Sequence, residues 1–159
     1  MRTMKRMLVA AFLLVGSIAV SAQGTAKYKC MIQMNSYLGE GAYIVVSLVK
    51  GDTYEKTLYV LGPDKKWYPD WKEWHKAYKK KPTNISAITG ASVAGGDRSV
   101  VTLEIDKAKI NAGYKLRFES AVEDKPYHVK DVEIPLTTEA LAAKTDGTGY
   151  IRYVRFSGS

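Results

Sequence analysis

Short apolar runs separated by turn residues fill most of the chain. Tyr28–Met34 alternates imperfectly, and Ala42–Val49 ("AYIVVSLV") is rich in β-branched residues. Thr57–Leu61, Ser99–Ile105, Tyr114–Ala121, Val129–Ile134 and Tyr150–Arg155 follow. Gly51-Asp52, Gly62-Pro63-Asp64, Asn111-Ala112-Gly113 and Asp124-Lys125-Pro126 supply turns between them. In "YKLRFES", Tyr114, Leu116 and Phe118 face one way while Lys115, Arg117 and Glu119 face the other. That alternation predicts a half-buried antiparallel strand. Ala140–Gly149 ("ALAAKTDGTG") reads as a mobile loop before the last strand.

One segment breaks the period of two. Trp67, Trp71, Trp74 and Tyr78 are spaced 4, 3 and 4 apart, and they include all 3 tryptophans. At helical pitch these offsets fall within about 60° of one another. Lys72, Glu73, Lys76 and Lys79 take the opposite side. Pro69 suits a first turn, Lys79 to Lys81 suit a last turn, and Pro82 ends it, which predicts a helix over about 69–80. The aromatic stripe has two readings. It is the face that fixes the helix to a sheet, or a stacking platform for an isoalloxazine, a porphyrin or a partner protein. His75 lies off the stripe beside the lysines and reads as a solvated side chain. About seven short strands and one inserted amphipathic helix predict a mainly all-β domain, an immunoglobulin-like β-sandwich.

The first residues change the picture of where this domain works. Arg2, Lys5 and Arg6 precede an apolar run from Met7 to Val20, and Val20-Ser21-Ala22 places small residues at a cleavage site. This is the pattern of a secretory signal peptide over residues 1–22, too short for the ~20 apolar residues of a membrane span. Cleavage near Ala22 would leave a single domain over 23–159, periplasmic or secreted, with no membrane-spanning segment. The formal charge of +8 would fall to about +5 with the three leader cations gone. A nucleic-acid partner does not suit an exported protein. A basic face formed by Lys72, Lys76 and their neighbours reads as a solvated helix face, or as a surface for an anionic membrane or an acidic partner.

Candidate chemistry is sparse. His75 and His128 are isolated, so no metal site is expected. Cys30, the single cysteine, sits in a strand-like run with no CxxC partner and reads as a buried inert thiol. Nothing resembles a nucleophile elbow, and no catalytic residue is assigned. The small-residue stretch Ser86–Gly96 ("SAITGASVAGG") has two readings. It is a Gly-rich connection, or a loop whose backbone around Thr89, Gly90, Ala91 and Ser92 approaches a ligand and cradles a phosphate.

The succession "GAYIVVSLV", "KTLYVLG", "KKWYPDWKEWHK", "ISAITGASVAGGDRSVVTLEID" and "AGYKLRFESAVEDKPYHVKDVEIPL" resembles a family of predicted periplasmic proteins classed as a domain of unknown function. The resemblance runs from about Tyr28 to Arg155. Genes of that family lie near PepSY-type membrane reductases and flavin transferases. Its "D-A-x-S/T-G-A-T" loop is similar to the site where a flavin transferase links FMN to a threonine. Here Ser86 stands in the acid's place and Ser92 in the acceptor's. The resemblance implies a non-catalytic accessory module in periplasmic redox or iron handling, partnered by a membrane redox protein or another periplasmic protein. Its alternative is an electron-transfer protein carrying FMN at Ser92. The surface residues expected to meet a partner are Trp67, Lys72, His75 and Lys76.

Overall fold

A computed structural model describes residues 24–158. The signal-peptide reading of residues 1–22 lies outside the described residues. The fold is mostly β, built from two sheets. Its strands are β1 (Thr25–Met34), β2 (Tyr43–Lys50), β3 (Thr53–Leu61), β4 (Thr89–Gly90), β5 (Arg98–Asp106), β6 (Lys115–Ala121), β7 (His128–Pro135), β8 (Lys144–Asp146) and β9 (Ile151–Gly158). One sheet has the order β5-β1-β9-β8 and the other β4-β3-β2-β6-β7. Pairing is antiparallel except for the short β3–β4 contact.

The two sheets share one core. Cys30, Ile32, Leu103, Ile151 and Val154 from the first meet Ile44, Val46, Leu116, Phe118 and Ile134 from the second. A second, smaller core lies on the far side of the second sheet. There Val45, Val60 and Ala121 pack against Tyr68, Trp71, Trp74 and Ile85. The molecule therefore has three layers, with a helical segment covering one sheet.

This third layer explains two departures from the sequence expectations. β2 is buried on both faces from Ile44 to Val49, which is why its sequence is a continuous apolar run. β6 is also buried on both faces, with Arg117 2% and Glu119 0% exposed. The expected half-buried strand is corrected because the helical layer covers Glu119, while Asp52, Tyr54 and Glu133 enclose Arg117. The expected mobile loop 140–149 is corrected too. It takes in the end of α2 (Thr138–Leu141), capped by Thr137, and all of β8, and its tip is tied to the buried carboxylate of Asp131.

The expected single helix is divided. A 3-10 turn spans Lys65–Asp70 and α1 spans Lys72–Lys80. Asp64 caps the first by accepting from Lys66 N at 3.1 Å. Pro69 lacks the N–H that a continuous helix would use, and Trp71 at the junction has ψ 70°, outside helical values. The stripe consequently keeps its helical spacing only from Trp71 onward.

Candidate functional site

Trp71 and Trp74 are 0% and 1% exposed. Their rings meet edge-on at 5.4 Å, and Trp74 stacks on Tyr78 at 4.8 Å. Burying an indole leaves its N–H in need of an acceptor. Trp71 Nε1 donates to the Tyr43 carbonyl at 3.2 Å and Trp74 Nε1 to Thr57 Oγ1 at 2.9 Å. These two rings are the fixings of the helical layer. The 3-10 pitch turns Tyr68, not Trp67, into that core. Trp67 is left half-buried at the surface, with the Lys66 ammonium 4.9 Å from its ring centre.

Beneath the tryptophans lies Glu119. Its Oε2 accepts from Tyr54 OH at 2.7 Å, and its Oε1 from the Trp74 amide at 3.3 Å and from Tyr127 OH. Burial pushes its carboxyl above the usual glutamate value, while the hydrogen bonds oppose that shift. Burial and the adjacent carboxylate both push the Tyr54 and Tyr127 hydroxyls up. The Glu119 carboxylate is closed over by protein, and the cluster holds the helical layer.

The surface recess beside Trp67 is different. Trp67 and Asp70 line it from the 3-10 turn, Glu40 and Gly41 from the approach to β2, Glu123 from beyond β6, and Ser92 from the small-residue loop. Its volume is about 190 Å³. Ser92 is exposed, and its place is set by its neighbour. Val93 exchanges two backbone hydrogen bonds with Ala42, at 3.0 and 2.7 Å. Tyr37 OH joins both strands of that bridge, donating to the Val93 carbonyl at 2.7 Å and accepting from Ala42 N at 2.8 Å. A Cβ on Gly41 would stand 2.6 Å from Ser92 Oγ, so a side chain there would displace the hydroxyl.

The other members of the loop lie elsewhere. Thr89 and Gly90 form β4 beside Val60 and Leu61. The Gly90 carbonyl accepts from Gly62 N at 2.8 Å, and Thr89 Oγ1 donates to the Ile85 carbonyl at 2.7 Å. Ala91 is exposed. Of the four, the recess receives Ser92 alone. Lys72, His75 and Lys76 lie on the outer face of α1 with Lys79 and Lys80. The structure thus brings Trp67 to Ser92, while Lys72 adjoins Trp67 in a neighbouring recess and His75 and Lys76 lie further along α1.

Cys30 is buried between the sheets, and burial pushes its thiol up. His128 packs edge-on against Tyr150 at 4.8 Å. Among the described residues no three His, Cys, Asp or Glu side chains come together in a way that could hold a metal ion. No helix among them is long and apolar enough to cross a membrane. The carboxylates Glu40, Asp70 and Glu123 were not singled out from the sequence. Each lies in a turn or cap far from Ser92 in the chain, and only the tertiary fold assembles them.

The model of one family, described as "Predicted periplasmic protein (DUF2271)", matches residues 25–153. No curated protein and no solved structure matches the chain.

Proposed function

This chain belongs to the family of predicted periplasmic proteins, and from that premise we propose that it is a non-catalytic periplasmic binding module. Its contact site is the recess shared by Trp67 and Ser92. The observation that carries this reading is their convergence. A half-exposed indole and an exposed hydroxyl, far apart in sequence, line one hollow with three carboxylates. At about 190 Å³ the hollow is smaller than the ~300–1,000 Å³ of sites that enclose a small molecule. It suits one side chain or ring edge of a larger partner, such as a membrane protein of extracytosolic redox or iron handling. A photo-crosslinking residue at Ser92, with Lys29 on the opposite sheet as control, tests this in cells exporting the protein. The expected result is a discrete adduct from position 92 that Trp67→Ala removes. No adduct, or the same adduct from position 29, would sink it.

A second reading, FMN carried at Ser92, draws support from the exposed hydroxyl next to an indole on which a flavin ring could stack. The three carboxylates oppose a phosphodiester there. Co-expression with a flavin transferase decides it. An unchanged intact mass and no visible flavin absorbance end the idea.

The strand order supports an immunoglobulin-like sandwich. If β1, β2, β3, β5, β6 and β7 stand for strands B, C, C′, E, F and G, each of their pairings matches that topology. β9 then lies beside β1, as strand A lies beside strand B in the usual order, and β8 extends the sheet beyond it.

A further inference from the structure

α1 and β3 together form a groove that the recess does not include. On one side β3 pairs with β2 along its length. On the other, β4 covers only Val60 and Leu61. Among the described residues no strand lies beside β3 from Thr53 to Tyr59 on that side. Tyr54, Glu55, Lys56 and Thr57, four consecutive residues, line the groove. Along Thr53 to Tyr59 the second edge of β3 has no partner strand among the described residues, and the bulge at Glu55 turns further side chains toward the groove. The groove therefore presents unpaired main-chain groups of β3, with α1 as the opposite wall.

We infer that this groove binds an extended acidic polypeptide segment by strand addition. The segment would lie about 4.8 Å from β3 and hydrogen-bond to its free edge. Its inward side chains would meet Trp74, Tyr78 and Ile88 on the groove floor and wall. The volume of about 290 Å³ suits a few side chains rather than an enclosed small molecule. Bulges at Glu55 and Leu58 shorten the straight edge. They keep the edge from pairing indiscriminately, so that side-chain contacts must add to a few main-chain bonds.

Charge selects the partner's sign. Lys56 and Lys81 line the groove, against Glu55 alone. Neither lysine is in an ion pair among the described residues.

The probe is a capped peptide of alternating valine and glutamate, titrated while amide resonances of Tyr54 to Thr57 are followed by NMR. Saturable shifts there are expected, with slowed amide exchange. The lysine counterpart and a backbone N-methylated version should not bind. Lys56→Glu with Lys81→Glu should weaken binding by roughly tenfold or more, equivalent to about 1.4 kcal/mol per decade. Ala77→Trp, which fills the groove from the helix side, should abolish it at an unchanged melting temperature. The inference is overturned if no saturable shift occurs, or if N-methylation makes no difference. It is also overturned if the peptide fails while anionic phosphatidylglycerol vesicles sediment the protein, since the lysines would then serve a membrane.

Discussion

Glu119 is a fully buried acid that accepts three hydrogen bonds beneath the helical layer. Its pH behaviour follows from burial. The folded state holds the carboxyl above its usual value of 4.5. It therefore keeps a proton that the unfolded chain has released. Stability from this group is greatest below 4.5 and is lost as pH rises through the folded value. Urea unfolding across that range should show a decline, and Glu119→Gln should flatten it. A decline of the same slope in the variant would assign the effect to another group. The tryptophans make a complementary expectation. Trp71→Ala and Trp74→Ala should each cost roughly 3–5 kcal/mol by cavity formation. Trp67→Ala, at the half-exposed position, should cost well under about 1 kcal/mol. Equal losses in thermal melts of all three would show that Trp67 is also a core residue. This difference was not legible in the sequence. A constant helical pitch puts Trp67 on the stripe, whereas Pro69 and the 3-10 geometry rotate it off and put Tyr68 in its place. Ser92 was legible as a candidate through its small neighbours, but its acidic surroundings come from segments that only folding unites.

Among the elements, the seven longer strands were legible because each carries its own apolar run and its own turn. β4 and β8 were not, since strands of 2 and 3 residues hold no readable period. β6 reads as amphipathic because Arg117 and Glu119 alternate with core residues. Its polar side is nevertheless buried, with Arg117 paired to Glu133 at 3.0 Å and Asp52 at 2.8 Å. The segment before β9 shows how one side chain orders an element that composition describes as loose. Asp131 Oδ1 accepts from the amides of Thr148 at 3.0 Å and Gly149 at 2.7 Å. Its Oδ2 accepts from Ile151 N at 3.0 Å and from the Ser120 hydroxyl. Asp131→Ala would strip the acceptor from several buried donors, each costing about 1–3 kcal/mol if left unpaired. A loss of roughly 3 kcal/mol is expected, together with faster amide exchange from Gly147 to Ile151. Exchange that stays slow there would mean that backbone pairing alone holds the turn.

At the scale of the whole molecule, the chain closes its first sheet last. β1 is paired on one side by β5 and on the other by β9, which in turn carries β8. Met31 faces Val100 and Arg155 across the two ladders. One flank of the shared core therefore waits for the final strand, whose Ile151 and Val154 are fully buried. Such pairings are distant in sequence, and their loop-closure cost slows folding. A chain ending at Thr148 would leave β1 with an open edge, the core without the buried side chains of Tyr150, Ile151 and Val154, and Asp131 without its Gly149 and Ile151 donors. It should show no cooperative unfolding transition and no near-ultraviolet signal from the buried tryptophans. The second sheet and its helical layer contain none of the deleted residues. If that half were stable alone, the truncated chain would keep the tryptophan signal and lose only part of its unfolding enthalpy. Near-ultraviolet dichroism and calorimetry on the same sample separate these outcomes. Loss of both signals is expected, because Ile44, Val46 and Phe118 of the second sheet share their core with Ile151 and Val154.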